Sequence, residues 1–212
     1  ACVCVWEGYR ELMARANEHL GIKDIAPDCV PLLTDKQQLR KTLYAEGLSQ
    51  VVVEPLTEQN FLAYQQQGAS KFIKPFRGIA SFGTFQLTPQ VSWDDIQALQ
   101  HELHSDTVFS SIFAEHDTFI IEDFINGTEY SFEMLVEDGR QSIVAIHEKP
   151  EMSLEKMTTL ENSVVCPPVS LTAADIDTAS AWLKQIFTTL NIDSGCFHVE
   201  AKFDGQQWEI IE

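Results

Sequence analysis

Apolar and polar positions recur at two different periods along this chain, and the switches between them mark its elements. Residues 9–20 carry apolar side chains at helical spacing and stop at Gly21, a residue suited to the left-handed position past a helix end. Cys2 and Cys4 alternate with valines ahead of that helix and read as small apolar residues of a strand. Thr34 is placed to cap a second helix through Leu39 and Leu43 to Gly47, with Lys36 in its first turn. Residues 71–75 form an apolar strand ending at Pro75, and residues 76–85 a loop containing Gly78, Ala80, Ser81 and Gly83. Ser92 with Asp95 starts a helix through Leu103, and Thr172 with Asp175 a longer one through Leu190. Residues 119–125 read as a strand, Asn126-Gly127 as a turn, and residues 129–136 and 142–146 as a hairpin. The last eighteen residues alternate apolar and polar side chains along each arm on either side of Asp204-Gly205, which predicts a closing hairpin.

Together these elements predict an α+β chain: a linking region over residues 1–70, a smaller lobe over 71–150, and a larger lobe over 151–212 that carries the terminal hairpin. The start and the end both read as strands cut short, so further residues are expected on either side. A net charge of −18 argues against nucleic acid or an anionic membrane as partner, because phosphate neutralisation needs a basic surface. No apolar window is long enough to span a bilayer, and the first residues lack a signal-peptide pattern. The five cysteines form no CxxC and no even framework, which fits a reducing, cytoplasmic setting and cysteines that serve as core residues.

The residues that suggest chemistry are acids and lysines. Glu200 and Glu212 lie on adjacent arms of the terminal hairpin, and hard carboxylate oxygens with no histidine or thiolate cluster nearby suit Mg²⁺ shared with phosphates. The alternative is a polar strand face whose glutamates meet only water. Parity leaves the choice of partner open: a two-residue turn at Asp204-Gly205 sets Glu209 opposite Glu200, while a bulge returns Glu212 to that face. Lys74 ends an apolar strand just before the glycine-containing loop, where a cation is costly unless it meets an anion. The loop matches neither GxxxxGK[ST] nor GxGxxG. Glu122, Phe124 and Ile125 lie on a strand whose backbone can pair with an adenine edge, and Glu129 follows the turn; ordinary solvated acids are the competing reading. His101 and His104 share a helix face without further ligands, and no nucleophile-base pair emerges, so no catalytic side chain is assigned.

Taken in order, Thr34-Asp-Lys36, Phe72-Ile-Lys-Pro75, residues 78–84, residues 121–129 and the pair Glu200 and Glu212 resemble the ATP-grasp superfamily across essentially the whole chain. Residues 195–202 and 161–168 look like its carboxylate-amine ligase branch, which includes dipeptide-forming and carnosine-synthase-like enzymes. The resemblance implies two lobes clasping ATP. Lys36 and Lys74 would hold the α- and β-phosphates, and the loop with Gly78 and Ser81 would close over the β- and γ-phosphates. Residues 122–125 would line adenine, Glu129 would bind ribose, and Glu200 and Glu212 would hold Mg²⁺. It further implies a carboxylate and an amine as substrates, an acyl phosphate between them, and an Asn and an Arg shortly after Glu212; a homodimer is a reasonable assembly on general grounds. An N-terminal α/β domain of the family is absent from these residues. Non-catalytic nucleotide binding, and a plain binding protein without nucleotide, are the rival functions.

Overall fold

The computed structural model describes residues 1–78, 81–105, 119–155 and 157–212. Two antiparallel sheets carry the architecture. The first has four strands: β1 (Val53–Pro55), β2 (Lys71–Pro75), β3 (Phe85–Gln86) and β4 (Phe119–Asp123), in the order β1-β4-β2-β3. The second has five: β5 (Thr128–Glu137), β6 (Arg140–Glu155), β7 (Thr158–Val165), β8 (Gly195–Phe203) and β9 (Trp208–Ile210), in the order β7-β6-β5-β8-β9. The chain passes from one sheet to the other between Asp123 and Thr128, so the change of sheet precedes the boundary expected near Pro150, which lies inside β6. Gly127 makes that passage possible. Its φ is +108°, and a Cβ there would meet the Phe203 carbonyl oxygen at 2.3 Å.

Among the described residues six α-helices surround the sheets: α1 (Arg10–His19), α2 (Val30–Thr34), α3 (Lys36–Ala45), α4 (Glu58–Gln67), α5 (Trp93–Ser105) and α6 (Ala173–Thr189). α5 and α6 start where Ser92/Asp95 and Thr172/Asp175 bond reciprocally, as their spacing predicts. α4 has the same device in Thr57 and Asn60 and was not anticipated. The cap of α3 is Asp35, which accepts from the Gln38 amide at 2.7 Å, and not Thr34. Thr34 closes α2 instead, donating to Val30 and Pro31 carbonyls. The first residues keep the expected alternation, with Val3 and Val5 exposed, yet they belong to no strand.

Period-2 patterning gives the second sheet two faces. Tyr130, Phe132, Met134, Val199 and Ala201 bury one face under Leu183 and Ile186 of α6 and Leu39 and Leu43 of α3. Glu129, Ser131 and Glu133 on β5, Lys149 on β6, and His198, Glu200 and Lys202 on β8 occupy the other. A separate core of Phe61, Ile73, Phe85, Ile96, Phe119 and Ile121 holds the first sheet to α4 and α5. Of the cysteines expected in the core, Cys29 is partly buried, whereas Cys166 and Cys196 are exposed; all five are free thiols. No helix among the described residues is long and apolar enough to cross a membrane.

Candidate functional site

The terminal hairpin resolves the parity question in an unanticipated way. Its loop is four residues, Asp204 to Gln207, with the Asp204 carboxylate accepting from the Gln206 and Gln207 amides at 2.8 Å each. Lys202 pairs with Glu209 and Ala201 with Ile210. Beyond Ile210 both Ile211 and Glu212 oppose Glu200: their amides donate to its carbonyl at 2.7 and 3.2 Å, and its amide donates to the Glu212 carbonyl at 2.8 Å. The bulge thus lies at the far end of the strand pair, away from the turn. Glu200 and Glu212 line one cavity of about 1070 Å³. Glu209 turns elsewhere, to Arg40 at 2.8 Å.

Each site lysine has a carboxylate partner. Lys36, at the start of α3, bonds Glu212 Oε1 at 2.5 Å and reaches the Gly78 carbonyl at 3.4 Å. Its own amide donates to the Phe76 carbonyl at 3.2 Å, which ties α3 to the start of the loop. Lys74 is fully sequestered: its ammonium meets Glu122 at 2.7 Å and the Ile211 carbonyl at 3.2 Å. The two lysines therefore approach consecutive residues of the same chain end. Burial pulls the Lys74 pKa below the usual lysine range, more strongly than the Glu122 charge can restore it.

Glu122 is also buried, 2% exposed, between Lys74 and Arg40. Burial alone would raise its pKa, but the two cations outweigh that and depress it. Its side chain serves this network, leaving the backbone of residues 122–125 as the part that could face a base. Within that stretch the Asp123 and Phe124 amides already donate to Val52 and Ser70, and the Ile125 carbonyl accepts from Lys202 at 3.3 Å. The Phe124 ring lies 5.1 Å from the Lys202 ammonium.

Glu129 meets Lys149 at 2.9 Å, and burial, the largest influence, pushes its pKa up. Lys149 also bonds Glu161 and Glu200. For Glu200, burial would raise the pKa, yet the hydrogen bond from His198 and the Lys149 charge take it down to about 2. His198 gains correspondingly, its bond to Glu200 lifting it to about 9 with help from Glu133 at 2.8 Å. Glu129, Glu161 and Glu200 place carboxylate oxygens within 4.8 Å of one another. The donors are hard oxygens alone, which fits Mg²⁺.

The loop before β3 is fastened to the second sheet. The Ser81 carbonyl accepts from Thr158 at 3.1 Å and the Thr84 carbonyl from Thr159 at 2.9 Å, with Phe82 bridged to Thr158. Ser81 and Gly83 both hold positive φ, at 56° and 70°. Ser81 lines the large cavity beside Glu200 and Glu212. The loop positions Ile79 and Ala80, part of the expected phosphate cover, lie outside the described residues. Arg40 and Lys149 carry no sequence signal, and Glu161 and His198 enter only as members of the segments 161–168 and 195–202.

The family model for the ATP-grasp domain matches residues 69–212. The chain belongs to that family. Among solved structures it is similar to L-amino acid ligase from Bacillus licheniformis, with 18% identity and a TM-score of 0.75, covering 98% of this chain and 49% of that one. It is similar also to D-alanine–D-alanine ligase from Bacillus anthracis, with 19% identity and a TM-score of 0.63, covering 94% and 63%. A third is the biotin carboxylase domain of Hydrogenobacter thermophilus 2-oxoglutarate carboxylase, solved with MgADP and bicarbonate, at 14% identity and a TM-score of 0.73, covering 99% and 46%. These likenesses show the fold: the α+β ATP-grasp architecture. The chain spans about half the length of the first of them. A search of curated proteins found no match.

Proposed function

We propose that this chain is the ATP-binding core of a ligase that joins a carboxylate to an amine, releasing ADP and phosphate. The observation that carries the reading is the convergence at one chain end: Lys36 on Glu212, Lys74 on the Ile211 carbonyl, Glu200 across the bulge, and Ser81 of the loop on the same cavity. Two lysines and two carboxylates at one place suit a polyphosphate with its cation. Lys36 and Lys74 take the α- and β-phosphates, exchanging their present partners for phosphate oxygens. The loop with Gly78 and Ser81 covers the β- and γ-phosphates, and the backbone at Glu122, Phe124 and Ile125 lines adenine. Lys149 engages Oε1 of Glu129, which leaves Oε2 as the atom for ribose. Glu200 and Glu212 hold Mg²⁺, which supplies neutralisation of phosphate charge when bound with the nucleotide.

In the reaction so framed, a substrate carboxylate oxygen bonds the γ-phosphorus as ADP leaves, and an amine then attacks the acyl carbon as phosphate leaves. The chain's share is alignment and charge, which is where much of the rate of such transfers arises. Calorimetry with Mg-ATP, followed by ADP release with panels of carboxylates and amines, tests this. Failure to bind Mg-ATP sinks it. Binding with no ADP release under any pair supports a nucleotide-binding regulatory domain instead.

A further inference from the structure

Lys149 lies where three acids meet. Its ammonium is 2.9 Å from Glu129 and 2.5 Å from Glu161, is bonded to Glu200, and belongs to a side chain only 3% exposed. The acids come from β5, β7 and β8, and Lys149 stands on β6 directly opposite Glu129. Their oxygens lie within 4.8 Å of one another, the spacing of a cation's ligand sphere, and the ammonium already occupies it.

We propose that Lys149 is a built-in counter-cation that closes this acidic cluster to free divalent metal and holds Glu200 in place for metal arriving with nucleotide. The proposal rests on the reading of Glu200 as a metal ligand. Lys149 and His198 both engage Oε1 of Glu200, which leaves Oε2 as the atom for a metal. A free cation would have to expel an ammonium that makes three charge-assisted bonds, and it would bring no ligands of its own. A cation carried on polyphosphate brings several, and the phosphates are drawn by Lys36 and Lys74, so it needs one oxygen of the cluster and Lys149 can stay. In this role Lys149 is a positioning residue.

The test titrates Mn²⁺, without nucleotide, into the 212-residue chain as wild type, Lys149→Met, Lys149→Arg and Lys149→Met/Glu161→Gln, reading free Mn²⁺ by electron paramagnetic resonance and unfolding temperature in parallel. Removing the ammonium should tighten Mn²⁺ binding by about tenfold or more, since ligand charge tunes such sites. Lys149→Arg should behave as wild type, and the double variant should lose most of the gain. Mn²⁺ should raise the unfolding temperature of Lys149→Met and leave wild type unmoved; folding of that variant only with Mn²⁺ present counts in favour as well. If Lys149→Met binds Mn²⁺ no more tightly than wild type and gains no stability from it, the proposal is overturned. Mg-ATP binding to wild type is measured separately: its absence would refute the ligase reading, whereas the Mn²⁺ series judges Lys149.

Discussion

Two ionic clusters lie close to the same chain end and are built on opposite principles. The first, Arg40, Lys74, Glu122 and Glu209, has two cations and two anions and is closed to water, with the Arg40, Lys74 and Glu122 side chains 2–3% exposed. The second gathers Glu129, Glu161 and Glu200 around Lys149, with His198 also bonded to Glu200, and opens on its Glu161 side. A balanced, sealed network has no charge left over for a ligand, and its use is to fix geometry. Arg40 joins α3 to β4 through Glu122 and to β9 through Glu209 and the Ile210 carbonyl, at 2.7 Å for the last. It thereby sets β4 and β9 relative to each other. The acid-rich cluster keeps unspent charge, which Lys149 withholds from free metal and leaves to a cation arriving with polyphosphate.

If that division is right, the largest effect comes from breaking the sealed network. Glu122→Ala strands Arg40 and Lys74 beside each other in a dry interior, and removing one partner of a buried ion pair costs about 3–5 kcal/mol. Urea unfolding measures it, and a loss below about 1 kcal/mol would show the network to be incidental to the fold. Next come the two lysines. Lys36→Met and Lys74→Met should each weaken ATP binding by about 2 kcal/mol, the order of one charge-assisted contact. Only Lys74→Met should also destabilise the fold, because it leaves Glu122 short of a partner, whereas Glu212 beyond Lys36 is 40% exposed and can turn to water. ATP binding unchanged in both variants would remove the phosphate assignment.

A smaller contrast separates the two acids that sequence left undecided. Glu209 competes in the sequence with Glu212 for the place beside Glu200. It instead accepts from Arg40 and from the Gln50 amide, so Glu209→Ala should cost about 1–3 kcal/mol of stability, while Glu212→Ala, losing a half-open pair, should cost under about 1 kcal/mol and act on metal-dependent ATP binding. Equal stability losses would mean that the hairpin's two glutamates are not divided between scaffold and site.

What was legible in the sequence, and what was not, follows the range of the interactions. Capping boxes at Ser92 and Thr172 work over three residues, and the strand β2 to Pro75 is visible as a local run; each is found where its pattern places it. α4 carried the same signal in Thr57 and Asn60, but it buries only Phe61, and so thin an apolar stripe leaves no helical period to notice. Glu200 and Glu212 could be named because the hairpin brings them together within a dozen residues. Arg40 could not: its carboxylate partners are 82 and 169 residues away. Lys149 is equally silent, since its three acids sit on three strands and nothing in the neighbouring residues announces them. The change of sheet before β5 is not legible because the β5–β6 hairpin looks local, and only its pairing with β8 assigns it to the second sheet.

The finest test of the comparison is the sign of the acid response. The Glu122 carboxyl is held below its ordinary value, so the stability it contributes is complete above the unfolded pKa near 4.5 and is lost as pH falls through the lower folded value. Glu129 is displaced upward by burial; its folded form takes a proton before the unfolded chain does, so between its raised value and about 4.5 a fall in pH stabilises the fold. The two clusters should therefore pull the stability curve in opposite directions on the acid side, each by about 1 kcal/mol for every unit of pKa displacement. Unfolding free energies measured from pH about 6 to about 3 resolve the two contributions by slope and not by offset. Glu122→Gln should flatten the decline of stability with falling pH, and Glu129→Gln should steepen it. Parallel curves for the two variants would mean that the sealed and the open cluster do not differ electrostatically, and the distinction between scaffold and cation site would fail with them.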